Sequence, residues 1–103
     1  MLKVLDALSN RHRLRAVARL ASAGPAYISQ LARDIGISRP LMHLHLRKLE
    51  AAGLVTWTVE TAEDGKAISL YQVEPFAVTI TPTLIAESAH TLSAEQAAGS
   101  TDS

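Results

Sequence analysis

The chain has 103 residues with ten basic and ten acidic side chains, a length that allows one folded domain. Its hydrophobic content of 48% and charged content of 19% exclude an intrinsically disordered composition. The lack of cysteine excludes disulfides, cysteine-ligated zinc and thiol chemistry. No uncharged stretch is long enough to span a bilayer, and the first residues lack a signal-peptide pattern, so we expect a cytoplasmic protein without a membrane partner.

The net charge of zero conceals two regions of opposite charge. Residues 10–50 contain eight arginines and lysines but only two acidic residues, whereas residues 51–103 contain one lysine and seven acidic residues. This asymmetry indicates a face that binds a polyanion, although solvated helix surfaces would give the same counts.

Two helices are predicted before residue 25. The first carries leucines at the spacing of one helix face: Leu2, Leu5 and Leu8. Ser9 and Asn10 offer an N-cap for the second helix, which we expect to end near Ala21, ahead of a Gly-Pro pair. The second helix has apolar residues at the spacing of a buried stripe, which leaves its arginines mainly on the other faces: Leu14, Val17, Ala18 and Ala21.

A helix-turn-helix is predicted next. A short helix over residues 28–35 is followed by Gly36, which suits the left-handed position after a helix. Ser38 is an N-cap for the fourth helix, which tolerates Pro40 in its first turn and continues to about Ala52. The two helices are expected to pack through these apolar side chains: Ile28, Leu31, Ala32, Ile35, Ile37, Met42, Leu46 and Leu49.

Two strands and a last helix complete the predicted order. Residues 54–61 and 67–73 flank an Asp-Gly turn and form a hairpin, with the buried face of its second strand left open. Residues 76–80 alternate as an extended segment, and Thr81 with Pro82 starts the last helix. We therefore expect a mainly α domain over residues 1–93, with four helices, a β-hairpin and a C-terminal fifth helix, and a frayed tail over residues 94–103.

The fourth helix, over residues 39–52, has a polar face opposite its apolar stripe. Arg39, His43 and Arg47 lie one turn apart on this face, on an element that the major groove of DNA can admit. Arginine binds either guanine or phosphate, and the spacing does not distinguish the two. Leu44 is interpreted either as a contact to a thymine methyl group or as a packing residue against the hairpin or the second helix, and we favour packing.

Three segments and the hairpin resemble the winged helix-turn-helix regulators of the ArsR family. The segments are residues 5–15, 28–32 and 46–55, and the resemblance covers about residues 2–73, up to and just beyond Tyr71. It implies a homodimer that is joined through its first and last helices, binds an imperfect palindrome in double-stranded DNA and represses transcription. The hairpin would then be the wing of the fold.

The candidate functional residues fall into two groups. The residues expected to contact DNA are Gln30, Ser38, Arg39, Pro40, His43, Leu44, Arg47 and Lys66. The first and last helices carry more apolar surface than a small monomer should expose. The residues expected to form the dimer interface are therefore Leu2, Leu5, Leu8, Leu84, Ile85, Ala89 and Leu92.

The chain departs from the metal sensors of the family, which place cysteine pairs on the third helix. Glu87 and His90 lie on one face of the last helix and could complete a zinc-type site only across a dimer, so we favour a surface pair and expect no cofactor. His43 and His45 point in different directions and do not converge on one ion. His45 is expected to pack or hydrogen-bond beside the apolar stripe, and His12 is expected to be solvated.

The predicted wing tip, residues 63–66, is net negative and would repel phosphate groups. We expect the wing to contribute little to DNA binding, with at most Lys66 reaching the backbone. The acidic tip and the neutral overall charge leave an alternative, a winged-helix module that binds another protein instead of DNA. An enzyme is disfavoured, because the sequence has neither a glycine-rich phosphate loop nor a nucleophile beside a positioned base. No pattern identifies an effector.

Overall fold

The computed structural model describes residues 2–89, which form five helices and three strands. In chain order the elements are α1 (Leu2–Leu8), α2 (Arg11–Ala23), β1 (Ala26–Tyr27), α3 (Ile28–Ile35), α4 (Arg39–Ala51), β2 (Val55–Thr61) and β3 (Ala67–Val73). Residues 82–89 form the described part of α5. The predicted succession of four helices, a hairpin and a last helix is confirmed. The predictions for His90, Leu92 and the tail over residues 94–103 lie outside the described residues.

Capping side chains set the boundaries of the central helices. The Asn10 Oδ1 atom accepts a hydrogen bond from the His12 backbone N–H at 2.8 Å and starts α2. The Ser38 Oγ atom accepts from the Leu41 backbone N–H at 3.3 Å and starts α4. Between α3 and α4, Gly36 has φ 84° and ψ 34°, a left-handed conformation that glycine adopts without steric cost. These local interactions confirm the predicted helix-turn-helix.

The core lies where the helix-turn-helix meets the sheet. Its largest fully buried side chains come from α3, α4 and β2: Leu31, Met42, Leu46, Leu49 and Val55. Tyr71 is buried as well, so β3 faces the core through Tyr71 and not through Ile68 or Leu70. The predicted packing of α3 against α4 is confirmed, and it holds α4 by one side only.

The sheet has three antiparallel strands in the order β1-β3-β2. In the hairpin, Val55 pairs with Val73 and Thr61 pairs with Ala67. The strand β1 pairs Ala26 with Tyr71 and has only two residues, too few to show an alternating pattern, so the sequence does not predict it. Residues 74–81 have no regular secondary structure, and no helix within residues 2–89 has the length and apolarity that a bilayer crossing requires.

Helix α2 buries a different stripe from the predicted one. Arg13, Ala16 and Leu20 are buried, and Val17 alone of the predicted stripe packs against the core. The other predicted members are exposed: Leu14, Ala18 and Ala21. The physical reason is that the Arg13 Nε–H donates to the Ala7 carbonyl at 2.6 Å, which satisfies an acceptor that the C-terminal end of α1 leaves free. This bond turns the Arg13 side of α2 towards the protein.

Candidate nucleic-acid interface

Helix α4 presents an exposed polar face above its buried stripe. Arg39, His43 and Arg47 are exposed, whereas Met42 and Leu46 on the other side are fully buried. Arg47 follows Arg39 by eight positions, which is about two turns, or about 12 Å along the helix. The exposed side chains therefore lie along one ridge of a helix whose position is fixed by the core.

The arginines of this ridge have no acidic partner among residues 2–89. The one ion pair in that range joins Arg19 Nε of α2 to Asp34 Oδ2 of α3 at 2.9 Å. The acidic residue of α4, Glu50, accepts a hydrogen bond from Trp57 Nε1 at 2.9 Å and so points towards β2. The positive charge of Arg39 and Arg47 is left facing solvent, where it attracts anions.

A groove of about 310 Å³ lies between α4 and the sheet. Arg39 and His43 line it from α4, Ser29 lines it from α3, and Ser69 and Tyr71 line it from β3. Arginine, histidine and hydroxyl groups are the usual donors to phosphate oxygens in protein–DNA complexes. The groove therefore has the chemistry to hold a segment of nucleic-acid backbone beside α4.

The other predicted contact residues on the helices are exposed, but two of them also have local roles. Leu44 is 58% exposed, so our preferred interpretation of it as a packing residue is wrong. Gln30 accepts through Oε1 from the Tyr27 N–H at 2.9 Å at the start of α3, which leaves its NH₂ group as a donor. Pro40 lies exposed in the first turn of α4, where Ser38 is the N-cap.

The wing, β2 and β3 with the turn between them, extends beyond the core. Its turn is closed by the Ala62 N–H donating to the Lys66 carbonyl at 2.8 Å and by the Lys66 N–H donating to Asp64 Oδ1 at 3.0 Å. Gly65 has φ 84°, which confirms the Asp-Gly turn. The Lys66 side chain is exposed beside acidic neighbours. Its contact with the DNA backbone stays a prediction.

A buried polar cluster beneath α4 is a feature that no sequence pattern predicts. The Arg13 Nη1 atom lies 3.0 Å from His45 Nδ1, and its Nη2–H donates to the Asp6 carbonyl at 3.3 Å. Because arginine only donates, His45 accepts at Nδ1 and is neutral. Burial first, then the positive charge of Arg13, lower the pKa of His45. The predicted hydrogen-bonding role of His45 is confirmed, and its partner ties α4 to α1 and α2.

The prediction that His12 is solvated is wrong. Its Nδ1 atom is buried and has no hydrogen-bond partner within residues 2–89. Its ring centroid lies 5.5 Å from that of His45. The cause is again the orientation of α2, because turning Arg13 inwards brings position 12 beside α4. The sequence does contain a signal for this orientation. Arg13, Ala16 and Leu20 have the spacing of one helix face, just as the stripe that we predicted does.

The residues predicted for a dimer interface are only partly covered by their own chain. Leu5 is half-buried, and Leu8 packs against the core from α1. In α5, Leu84 is half-buried, whereas Ile85 is 53% exposed and Ala89 is exposed. The remaining two side chains, Leu2 and Leu92, lie outside the described set.

Of the two candidate metal ligands on α5, the structure describes only one. Within residues 2–89, no three His, Asp or Glu side chains are grouped so that they could hold an ion. Glu87 is exposed on α5, and its predicted companion His90 lies outside that range.

Comparison with known proteins supports the fold and the class of function. Residues 8–56 match a family model described as a helix-turn-helix domain. The chain is 34% identical over 76 residues to the uncharacterized HTH-type transcriptional regulator MJ0229 of Methanocaldococcus jannaschii, covering 74% of this chain and 78% of that one. This relative is named as a transcriptional regulator, the class of protein that the sequence favours over an enzyme.

Two solved structures share the fold. One is the homodimeric winged helix-turn-helix DNA-binding domain of Mb0332 from Mycobacterium bovis, a possible ArsR-family regulator, with a TM-score of 0.63 and 20% identity over 95% of this chain and 81% of that one. The other is the ArsR family transcriptional regulator RHA00566, with a TM-score of 0.55 and 24% identity over 70% of this chain and 68% of that one. The chain therefore belongs to the helix-turn-helix transcriptional regulators and has the winged fold of ArsR-family structures, as its sequence resemblance predicts.

Proposed function

We propose that two copies of this regulator bind a palindromic operator in double-stranded DNA, each through α4 in the major groove, and so repress transcription. The observation that carries the proposal is the ridge of Arg39, His43 and Arg47 on a helix anchored by buried apolar side chains. The major groove is wide enough to admit such a helix. Repression is what the ArsR resemblance implies, and the proposed place of action is the cytoplasm.

The two arginines have different roles in this proposal. Arg39 lies at the start of α4 beside the groove that Ser29 and Ser69 also line, so it binds a backbone phosphate. Arg47 lies two turns further along the ridge and reaches a base edge, where arginine can hold guanine through two hydrogen bonds. His43 lies between them and contacts the backbone.

The homodimer is supported by apolar surface on α1 and α5. Leu5 is only half-buried and Ile85 is 53% exposed, and the Mb0332 domain with the same fold is homodimeric. A two-fold axis between two chains would place their α4 helices in half-sites about one helical turn apart. Sedimentation that finds only an 11 kDa species at micromolar concentration would contradict the dimer.

Fluorescence anisotropy tests the proposal directly. The purified protein is titrated with the duplex upstream of its own gene and with a scrambled duplex, across a series of salt concentrations. We expect tighter binding to the upstream duplex and a steep loss of affinity with salt, because phosphate contacts release counterions. Arg47→Ala should weaken binding by about 1–3 kcal/mol and relax the preference between the duplexes.

The matched control is Arg15→Ala, which removes the same charge from an exposed position on α2. It should change affinity much less than Arg39→Ala or Arg47→Ala. Equal losses from all three would mean that only net charge matters. Absence of binding to either duplex at low salt would overturn the proposal in favour of a winged-helix module that binds another protein.

A further inference from the structure

The exposed face of α4 also carries an apolar residue, Leu44, beside the ridge of Arg39, His43 and Arg47. At 100° per residue, position 44 lies about 150° around the helix from the middle of the buried stripe. Pro40 and Arg47 lie within one turn of Leu44 on the same exposed side. A helix inserted in the major groove would therefore place Leu44 close to the base pairs.

Leu44 is 58% exposed, compared with 50% for Leu14 and 39% for Leu41. It is flanked by His43 and by Arg47, and no acidic group pairs with that arginine within residues 2–89. An apolar protein surface would have to desolvate this cation in order to cover Leu44, at a substantial free-energy cost. DNA avoids the cost, because it offers anionic phosphates beside an apolar group in the groove.

That apolar group is the C5-methyl of thymine, which projects into the major groove and which no other standard base carries. We propose that Leu44 reads thymine through this methyl group, so that each operator half-site has a thymine next to the position that Arg47 contacts. This inference rests on the proposed function and adds the identity of a base. It gives the ridge two complementary readers, one apolar and one cationic.

Replacing thymine by uracil tests the inference, because uracil lacks only the methyl group and pairs in the same way. The purified protein first selects duplexes from a random-sequence library. The selected duplex is then synthesised with deoxyuridine in place of each thymidine in turn. One position in each half-site should weaken binding of the unsubstituted protein by about fourfold, the value expected for one buried methyl group.

Variants assign the effect to the residue. Leu44→Ala should bind the thymine and uracil duplexes equally, at about the affinity of the unsubstituted protein for the uracil duplex. Leu44→Met keeps an apolar contact and should keep part of the discrimination. The control is Leu41→Ala, another leucine of α4, which is 39% exposed and lies 60° further around the helix. It should discriminate normally.

The possible failures are distinguishable. Equal affinity of the unsubstituted protein for every uracil duplex would overturn the inference while leaving DNA binding intact. Loss of discrimination in Leu41→Ala but not in Leu44→Ala would also overturn it, because a different side chain would be the reader. A library that yields no enriched sequence would overturn the proposed function itself and the inference with it.

Discussion

Helix α4 and the wing both extend to the surface of the same small domain, but they are held in different ways. Three side chains of α4 are fully buried: Met42, Leu46 and Leu49. In β2 only Val55 is buried, and the rest of that strand is exposed. The exposed side of α4 is basic, whereas the wing tip carries Glu63 and Asp64. The element with the charge to bind DNA is therefore also the element that the core holds rigidly.

This difference predicts that α4 and the wing contribute unequally to the proposed DNA binding. Apart from its two core residues, Val55 and Tyr71, the wing is stabilised mainly by its own strand pairing and by exposed side-chain bonds, such as the one from Gln72 Nε2–H to Thr56 Oγ1 at 3.3 Å. Segments with few buried apolar contacts open at a lower free-energy cost than the core. Because the core anchors α4 but not the acidic outer part of the hairpin, we expect the specificity of the proposed DNA binding to lie in α4.

Truncating the anchor of α4 should have the largest effect. Leu46→Ala removes a fully buried side chain and should lower the free energy of unfolding by about 2–5 kcal/mol, because a cavity adds to the lost hydrophobic transfer term. The control is Val59→Ala in the wing, where the side chain is 60% exposed, and its change should stay within about 0.5 kcal/mol. Urea denaturation measures both, and similar losses would remove the proposed contrast.

Removing the cap of α4 should have an intermediate effect. Ser38→Ala deletes the oxygen that accepts from the Leu41 N–H and should cost about 1 kcal/mol of unfolding free energy. Ser22→Ala is the control, because Ser22 is exposed within α2 and caps no helix end. If the two variants unfolded at the same denaturant concentration, the cap would not be what starts α4.

The burial of His45 beside Arg13 should make stability depend on pH, with a smaller effect. The pKa of His45 in the folded protein is lowered from the ordinary value of 6.5, and the groups that face it are the cation Arg13, His12 from α2 and Lys48 from α4 itself. Below pH 6.5 the unfolded chain therefore binds a proton that the folded chain does not. The free energy of unfolding should fall as pH decreases through 6.5 towards the folded pKa, and the contribution should be complete above that window.

Urea denaturation measures this contribution as the difference in unfolding free energy between two pH values. One is pH 7.5, and the other is about one unit below the ordinary histidine pKa. His45→Gln keeps an acceptor for Arg13 but does not titrate, so its loss of stability on acidification should be smaller than that of the unsubstituted protein. His43→Gln removes an exposed histidine from the same helix and should leave the pH dependence unchanged. If both variants lost the same amount of stability on acidification, His45 would be excluded as the cause of the pH dependence.

The residues on α4 show how far the sequence determines the site. The spacing of Met42, Leu46 and Leu49 predicts both the buried side and the opposite ridge, because both follow from one helical period. The role of Leu44 does not follow from this period, because helical spacing gives the direction of a side chain but not the group that it contacts. Arg13 was misplaced because its partners are a carbonyl in α1 and a ring in α4, which no local pattern brings together.

Changes at the wing tip should have the smallest effect on DNA binding. If Lys66 contacts one phosphate, Lys66→Ala should reduce the slope of log affinity against log salt by about one. Asp64→Asn keeps an oxygen that can accept from the Lys66 N–H but removes a negative charge, so it should strengthen binding slightly through weaker phosphate repulsion. An unchanged slope in both variants would mean that the wing does not approach the backbone. A loss in Lys66→Ala as large as that in Arg47→Ala would contradict the contrast, because the weakly held hairpin would then contribute as much to binding as the anchored helix.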